Sequence, residues 1–167
     1  MNRFRTFLIV VLGIIVLDLL TKLLAEKYLA DKVITIIPGF FDLTLVWNRG
    51  AAFGIIANAP EFVRKLVLIG ASTIAAVATF IYAYKAKDRL SKFEFYSLAL
   101  IAGGAIGNLY DRFFIGAVRD FLDFHIYEHH WPAFNIADAS ITIGIATFLF
   151  NELYLKPVKR KKEKENR

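Results

Sequence analysis

The sequence predicts an all-α integral membrane protein: four transmembrane helices, a small β-sheet lying on the outer leaflet, and both termini in the cytoplasm. Three observations carry this reading. Of the 167 residues, 57% are hydrophobic, and the mean hydropathy is +0.49, more apolar than a soluble domain of this length. Four apolar segments each have about the 20 residues a helix needs to cross the hydrocarbon core. Lys and Arg are distributed unevenly around those segments. Arg3 and Arg5, then Lys85, Lys87, Arg89 and Lys92, and seven residues of the tail "KPVKRKKEKENR" place thirteen of the 21 on one side, which the positive-inside rule makes cytoplasmic.

The first helix runs from about Arg5 to Ala25, "RTFLIVVLGIIVLDLLTKLLA". Its basic start and apolar run resemble a signal peptide. No small-x-small cleavage site follows, and the run continues through Asp18 and Lys22, so it reads as a retained helix. The outward segment 26–61 contains "VITIIPGFFDLTLVW". Its β-branched and aromatic residues on either side of Pro38-Gly39 predict two short strands over 33–47. The second and third helices span about 62–84 and 93–114. The outward segment 115–132, "IGAVRDFLDFHIYEHHWPAF" between Ile115 and Phe134, is aromatic and polar and reads as a loop or short amphipathic helix at the interface. The fourth helix spans about 133–155. Residues 1–155 form one domain, and 156–167 a basic cytoplasmic tail suited to anionic membrane lipids.

Composition excludes several functions. The chain has no cysteine, so disulfides, Cys-ligated zinc and thiol nucleophiles are excluded together. The net charge of +6 is concentrated beside apolar helices, which argues for a membrane surface and against nucleic acid. Only His125 and His129 of the three histidines have i, i+4 spacing, and their segment lacks a helical pattern, so no metal is assigned. Ser72 and Ser140 have no base at helical spacing.

Polar groups inside apolar helices are costly, roughly 2.5–3.5 kcal/mol for a charge at mid-membrane, and they mark function. Here they gather toward the outer ends of the helices: Asp18 and Lys22, then Asn108, Asp111 and Arg112, then Asn135 and Asp138, with Asp120 in the loop. Each also has a structural reading. Asp18 and Lys22 can pair at i, i+4; Asp111 and Arg112 can form an interfacial salt bridge; Asn135 or Asp138 can cap the fourth helix. Gly103 and Gly107 make a small-xxx-small pair that suits close helix packing. Asp120 and Asp123 stand three residues apart, and spacing alone does not choose between them. A helix would put them on a similar face, whereas an extended segment would point them oppositely.

Taken in order, "DLLTK", "WNRGAAFG", "GGAIGNLYDR", "GAVRDF" and "FNIADASITIG" resemble the five sequence blocks of the signal peptidase II family, lipoprotein signal peptidases of the bacterial cytoplasmic (inner) membrane. The resemblance implies four helices with a small β-cradle at the outer leaflet and an active site facing that leaflet. It implies an aspartic peptidase that cleaves prolipoproteins on the N-terminal side of a diacylglyceryl-modified cysteine, without a cofactor. It assigns Asp120 and Asp138 as the catalytic pair. Asn48, Asn108, Arg112 and Asn135 match polar positions around the substrate, and Asp18 and Lys22 a supporting acid–base pair. Cyclic peptides of the globomycin type are expected to inhibit. Arg119 and Asp123 fall in a variable part of the pattern, and Asp123 then reads as an exposed charge paired with Arg119. Buried acids also suit a small proton- or cation-coupled transporter, although four helices without an inverted repeat make a poor one. A non-catalytic lipoprotein-binding chaperone is a third class.

Overall fold

The structure is a computed structural model that describes residues 3–50 and 59–158. Its elements, in chain order, are α1 (Arg3–Leu29), β1 (Ile34–Ile37), β2 (Phe41–Asn48), α2 (Glu61–Lys85), α3 (Lys92–Phe114), β3 (Val118–Ile126), β4 (His129–His130) and α4 (Ile136–Phe150). A π-helical turn, Asn151–Leu155, continues α4. The four helices fall where hydropathy puts them. α1, α2 and the helical run Ile136–Val158 are long and apolar enough to cross a membrane. α3 is of similar length, but it is the central helix of the bundle, packed on α1, α2 and α4, and Gly, Asn, Asp and Arg dilute its apolar surface.

Helix boundaries follow local chemistry. Ser91 caps α3 in a reciprocal arrangement with Glu94: Glu94 N–H donates to Ser91 Oγ at 3.3 Å, and Ser91 N–H to Glu94 Oε2 at 2.7 Å. Asn135 and Asp138 do the same for α4, which begins at Ile136, three residues later than hydropathy indicates. Ala133 and Phe134 are extended instead, because Phe134 bridges to Leu122 of β3. Most apolar side chains of α1 point outward; Leu12 is 62% exposed. Such a helix suits lipid contact. Phe7, Val11, Phe95, Leu98 and Ala102 form the packed interior between helices.

The strands form one antiparallel sheet in the order β1-β2-β3-β4, which corrects the reading of 115–132 as a loop or amphipathic helix. The residues "VRDFLDFHI" alternate with period 2 and pair with β2, and a tight turn at Tyr127, with φ of 49°, returns the chain to β4. Alternation places Val118, Asp120 and Leu122 on one face and Arg119, Phe121 and Asp123 on the other. Arg119 and Asp123 are therefore about 13 Å apart along the strand and do not pair. Asp123 instead accepts from His130 Nδ1 at 2.9 Å, at the far end of the strand from the buried charges.

A bulge in β2 decides which of its residues faces Asp120. Leu43 pairs with Leu122 and Val46 with Asp120, so the register slips by one residue between them. The slip turns Asn48, rather than Trp47, onto the face that carries Asp120.

Candidate active site

Three elements bring the polar residues together. β3 delivers Asp120, buried at 1% exposure. Phe134 O accepts from the N–H groups of Phe121 and Leu122 at 3.0 and 2.9 Å, which docks the start of α4 on β3 and sets Asn135 beside Asp120. Asn108, on α3, faces the first turn of α4. The approach is close because α3 carries glycines there: a Cβ on Gly104 would strike Ala137 O, and one on Gly107 would strike Asp18 Oδ2.

The two carboxylates share a set of amide donors. Asp120 Oδ1 accepts from Asn135 Nδ2 at 2.7 Å, and Oδ2 from Asn48 Nδ2 at 2.9 Å. Asp138 Oδ1 accepts from Asn108 Nδ2 at 2.7 Å, and Oδ2 from Asn135 N–H at 3.3 Å. Among the described residues, each of the four oxygens thus accepts one N–H, which leaves a second lone pair for a proton or water. Asn135 both caps α4, its Oδ1 accepting from Asp138 N–H at 2.9 Å, and bridges to Asp120. The capping and site readings of this residue are one arrangement.

Asn108 is oriented by charge. Its Oδ1 accepts from Lys22 Nζ at 3.0 Å and from Asn135 Nδ2 at 3.2 Å, which turns its Nδ2 toward Asp138. Lys22, fully buried, also donates to Asp18 Oδ2 at 2.7 Å. Asp18 Oδ1 accepts from Ala137 N–H at 2.9 Å, holding the residue next to Asp138. The i, i+4 pair expected from sequence is present and reaches the site through both members.

Asp111 does not pair with Arg112. It binds Arg119 and lies 3.6 Å from Lys22. Arg112 donates from Nη1 to Ser72 Oγ at 2.7 Å, and its guanidinium borders the cavity. Arg119, like Arg49 on the cavity wall, is a site-adjacent residue that sequence reasoning missed, because one charge beside Asp120 carries no spacing signal. A period-2 reading of "VRDFLDF" would have turned it inward, opposite Asp120.

A cavity of about 950 Å³ opens over the carboxylates, lined by Trp47, Arg49, Arg112, Asp120, Phe134 and Asp138 among others. Burial first, and the charge of Asp138 second, push the Asp120 carboxyl up to about 7, against the opposing pull of the Asn48 and Asn135 donors. A carboxyl so placed keeps a proton closer to neutrality than an ordinary aspartate, which suits acid–base work by a pair of carboxyls. His125 stacks on His130, ring centroids 4.6 Å apart, on the opposite face from Asp120. Residues 51–54 of "WNRGAAFG" lie outside the described residues.

Residues 10–154 match the family described as signal peptidase (SPase) II. The chain belongs to the signal peptidase II family. It is 66% identical over 155 residues to a lipoprotein signal peptidase of a Sulfurihydrogenibium species, covering 93% of this chain and 95% of that one. It is 44% identical to a lipoprotein signal peptidase of Aquifex aeolicus over 90% of this chain and 87% of that one. A bacterial membrane enzyme solved by the in meso method at 2.3 Å resolution superposes with a TM-score of 0.78 at 30% identity, covering 95% of this chain and 92% of that one. Membership makes the chain a protease of the lipoprotein signal peptidase kind and, with its apolar helices, a multi-pass membrane protein. Nothing in these likenesses favours a transporter.

Proposed function

We propose that this signal peptidase hydrolyses the peptide bond on the N-terminal side of the diacylglyceryl-modified cysteine of bacterial prolipoproteins, using Asp120 and Asp138 to activate water. The observation that carries the reading is the pair of carboxylates on one cavity, tied together through Asn135 and each held by amide donors. Asp120 holds the shared proton and gives it to the scissile carbonyl oxygen. Asp138, ionised, takes a proton from the attacking water. Breakdown of the tetrahedral intermediate reverses the transfers, the amine leaving with the proton that Asp138 received, so the pair titrates as a unit. Arg112 and Arg49 border the cavity where substrate carbonyls pass, and Asn48, Asn108 and Asn135 hold the dyad. Asp18 and Lys22 support it from behind.

The reading extends to the membrane. All four helices cross it, with both termini in the cytoplasm, residues 1–155 as the peptidase domain and 156–167 as the basic tail; the membrane is the bacterial inner membrane and the site faces its outer leaflet. The thirteen Lys and Arg on one side support this orientation. The apolar walls of the cavity suit acyl chains, and a globomycin-type cyclic peptide is the class of inhibitor expected to occupy it.

Incubating the purified protein with a lipidated precursor tests the reading: a product shortened by the signal peptide is expected, and Asp138→Asn should lower the rate by roughly a thousandfold or more while leaving the protein folded. A wild-type rate in that variant would return Asp138 to helix capping alone.

A further inference from the structure

Arg119 is 2% exposed and immediately precedes Asp120. Strand alternation turns its side chain away from the cavity, toward α1 and α3, so it cannot touch a substrate lying over the dyad. Its partners are unusually complete. Nη2 donates to Asp111 Oδ1 at 2.6 Å, and Nε and its own backbone N–H donate to Asp111 Oδ2 at 3.2 and 3.0 Å. Nη1 donates to Glu26 Oε2 at 2.9 Å. The forked guanidinium thereby fastens β3 to one turn of α3, the turn that also presents Asn108 to Asp138 and Arg112 to the cavity.

The same side chain completes a charge balance. Behind the dyad stand Asp18 and Lys22 of α1 and Asp111 of α3, all fully buried, with the half-exposed Glu26 beyond them. From the cavity side the dyad is faced by Arg112 of α3 and by Arg49, which follows β2, with Asp138 itself on α4. Without Arg119, the buried group of Asp18, Lys22 and Asp111 would carry an uncompensated negative charge on the far side of the strand from Asp120.

We propose that Arg119 is a positioning residue of the peptidase: through Asp111 it fixes the depth at which β3 presents Asp120 to Asp138, and it neutralises the buried acid behind them. The proposal rests on the two-aspartate reading above. Losing the clamp displaces Asp120 without removing any contact to substrate, so the damage falls on kcat rather than KM. Losing the charge makes ionisation of the dyad harder, so the alkaline limb of the pH profile moves upward.

The test measures kcat, KM and the pH dependence of kcat/KM on one diacylglyceryl-modified precursor for wild type, Arg119→Met, Arg119→Lys, the double variant Arg119→Met with Asp111→Asn, and Asp138→Asn as an inactive control. Arg119→Met is expected to lose about a hundredfold in kcat, as for an ångström-scale displacement of a reacting group, with KM changed only a fewfold. Its alkaline limb should move up, and the double variant should bring the limb back. Arg119→Lys, which keeps the charge and loses the fork, should show a reduced kcat with the limb near that of wild type. Wild-type kcat and limb in Arg119→Met would overturn the proposal, whatever its thermal stability. Should Arg119→Met fail to fold, a wild-type kcat in Arg119→Lys overturns it equally. A wild-type protein that leaves the precursor uncut sinks the peptidase reading itself, whereas cleavage unaffected at position 119 sinks the positioning role alone.

Discussion

Replacing Asn48 by Ala should move the alkaline limb of peptidase activity upward by about one pH unit. Asp120 is held at about 7 by two influences that raise it, burial and Asp138, and by donors that lower it, of which Asn48 acts most strongly. Asn48 Nδ2 donates to Asp120 Oδ2 at 2.9 Å, a hydrogen bond that favours the ionised form. A hydrogen bond to a charged group contributes about 1.5–3 kcal/mol, and one pKa unit corresponds to about 1.36 kcal/mol. The bond alone would therefore be worth one to two units. Water entering from the open cavity would replace part of it, which leaves about one.

The sign is determined by which form loses its partner. Ala removes a donor to the carboxylate and nothing from the acid, so ionisation becomes harder and the proton is kept to higher pH. The assay is kcat/KM against pH, from about 5 to 9.5, with a diacylglyceryl-modified precursor held below saturation, so that the free enzyme's groups are read. Weaker substrate binding in the Ala variant would lower the whole profile without moving its limb. A limb that stays in place or moves down would show that Asp120 is not the acid whose proton the reaction needs.

Further outcomes rest on the same geometry. Asp120→Asn should abolish cleavage, whereas Asp123→Asn, which loses only a solvent-screened surface pair with His130, should keep most of it; initial rates of the two variants decide between the acids. Precursors without the diacylglyceryl group should be cut poorly, since each buried CH₂ contributes about 0.8 kcal/mol, and equal rates with and without lipid would refute a lipid-reading cavity. Gly107→Ala should lower thermal stability in detergent by several degrees or prevent accumulation, because its methyl group meets the buried Asp18 carboxylate; an unchanged melting temperature would mean that α1 and α3 separate freely at that point.

How much of the fold and site is legible in the sequence depends on the kind of signal each residue leaves. The helices are readable because a span of about 20 apolar residues is a requirement of the bilayer, independent of packing. β1 and β2 are readable from β-branched and aromatic residues around a Pro-Gly turn. β3 is not, because its inward and outward positions both carry charge, Arg119 and Asp123 on one face and Asp120 on the other, so alternation of polarity is hidden. The bulge that aims Asn48 at Asp120 leaves no mark at all in a single sequence. Asn108, Asn135 and Asp138 stand out as polar groups in apolar helices, yet nothing in their spacing says which way an amide is turned.

That orientation is where the buried ions act on the chemistry. An asparagine can present either an oxygen or an amino group, and the two are nearly isosteric. For Asn108 the choice is forced: Lys22 Nζ, at 3.0 Å, can only donate, so it takes the amide oxygen and the amino group turns to Asp138. Lys22 in turn is paired in a dry interior with Asp18 and Asp111, and Asp111 with Arg119. Each of these charges would be costly alone, and each is compensated by the next. The series runs from the half-exposed Glu26 to the donor on Asp138, so a charge removed at one end reaches the other through the direction of a single amide. A core of apolar residues in the same volume would hold the helices as well, but it would leave Asn108 free to turn its oxygen toward the carboxylate. The buried ion pairs therefore matter because they select one rotamer at the dyad, and not for the stability they add.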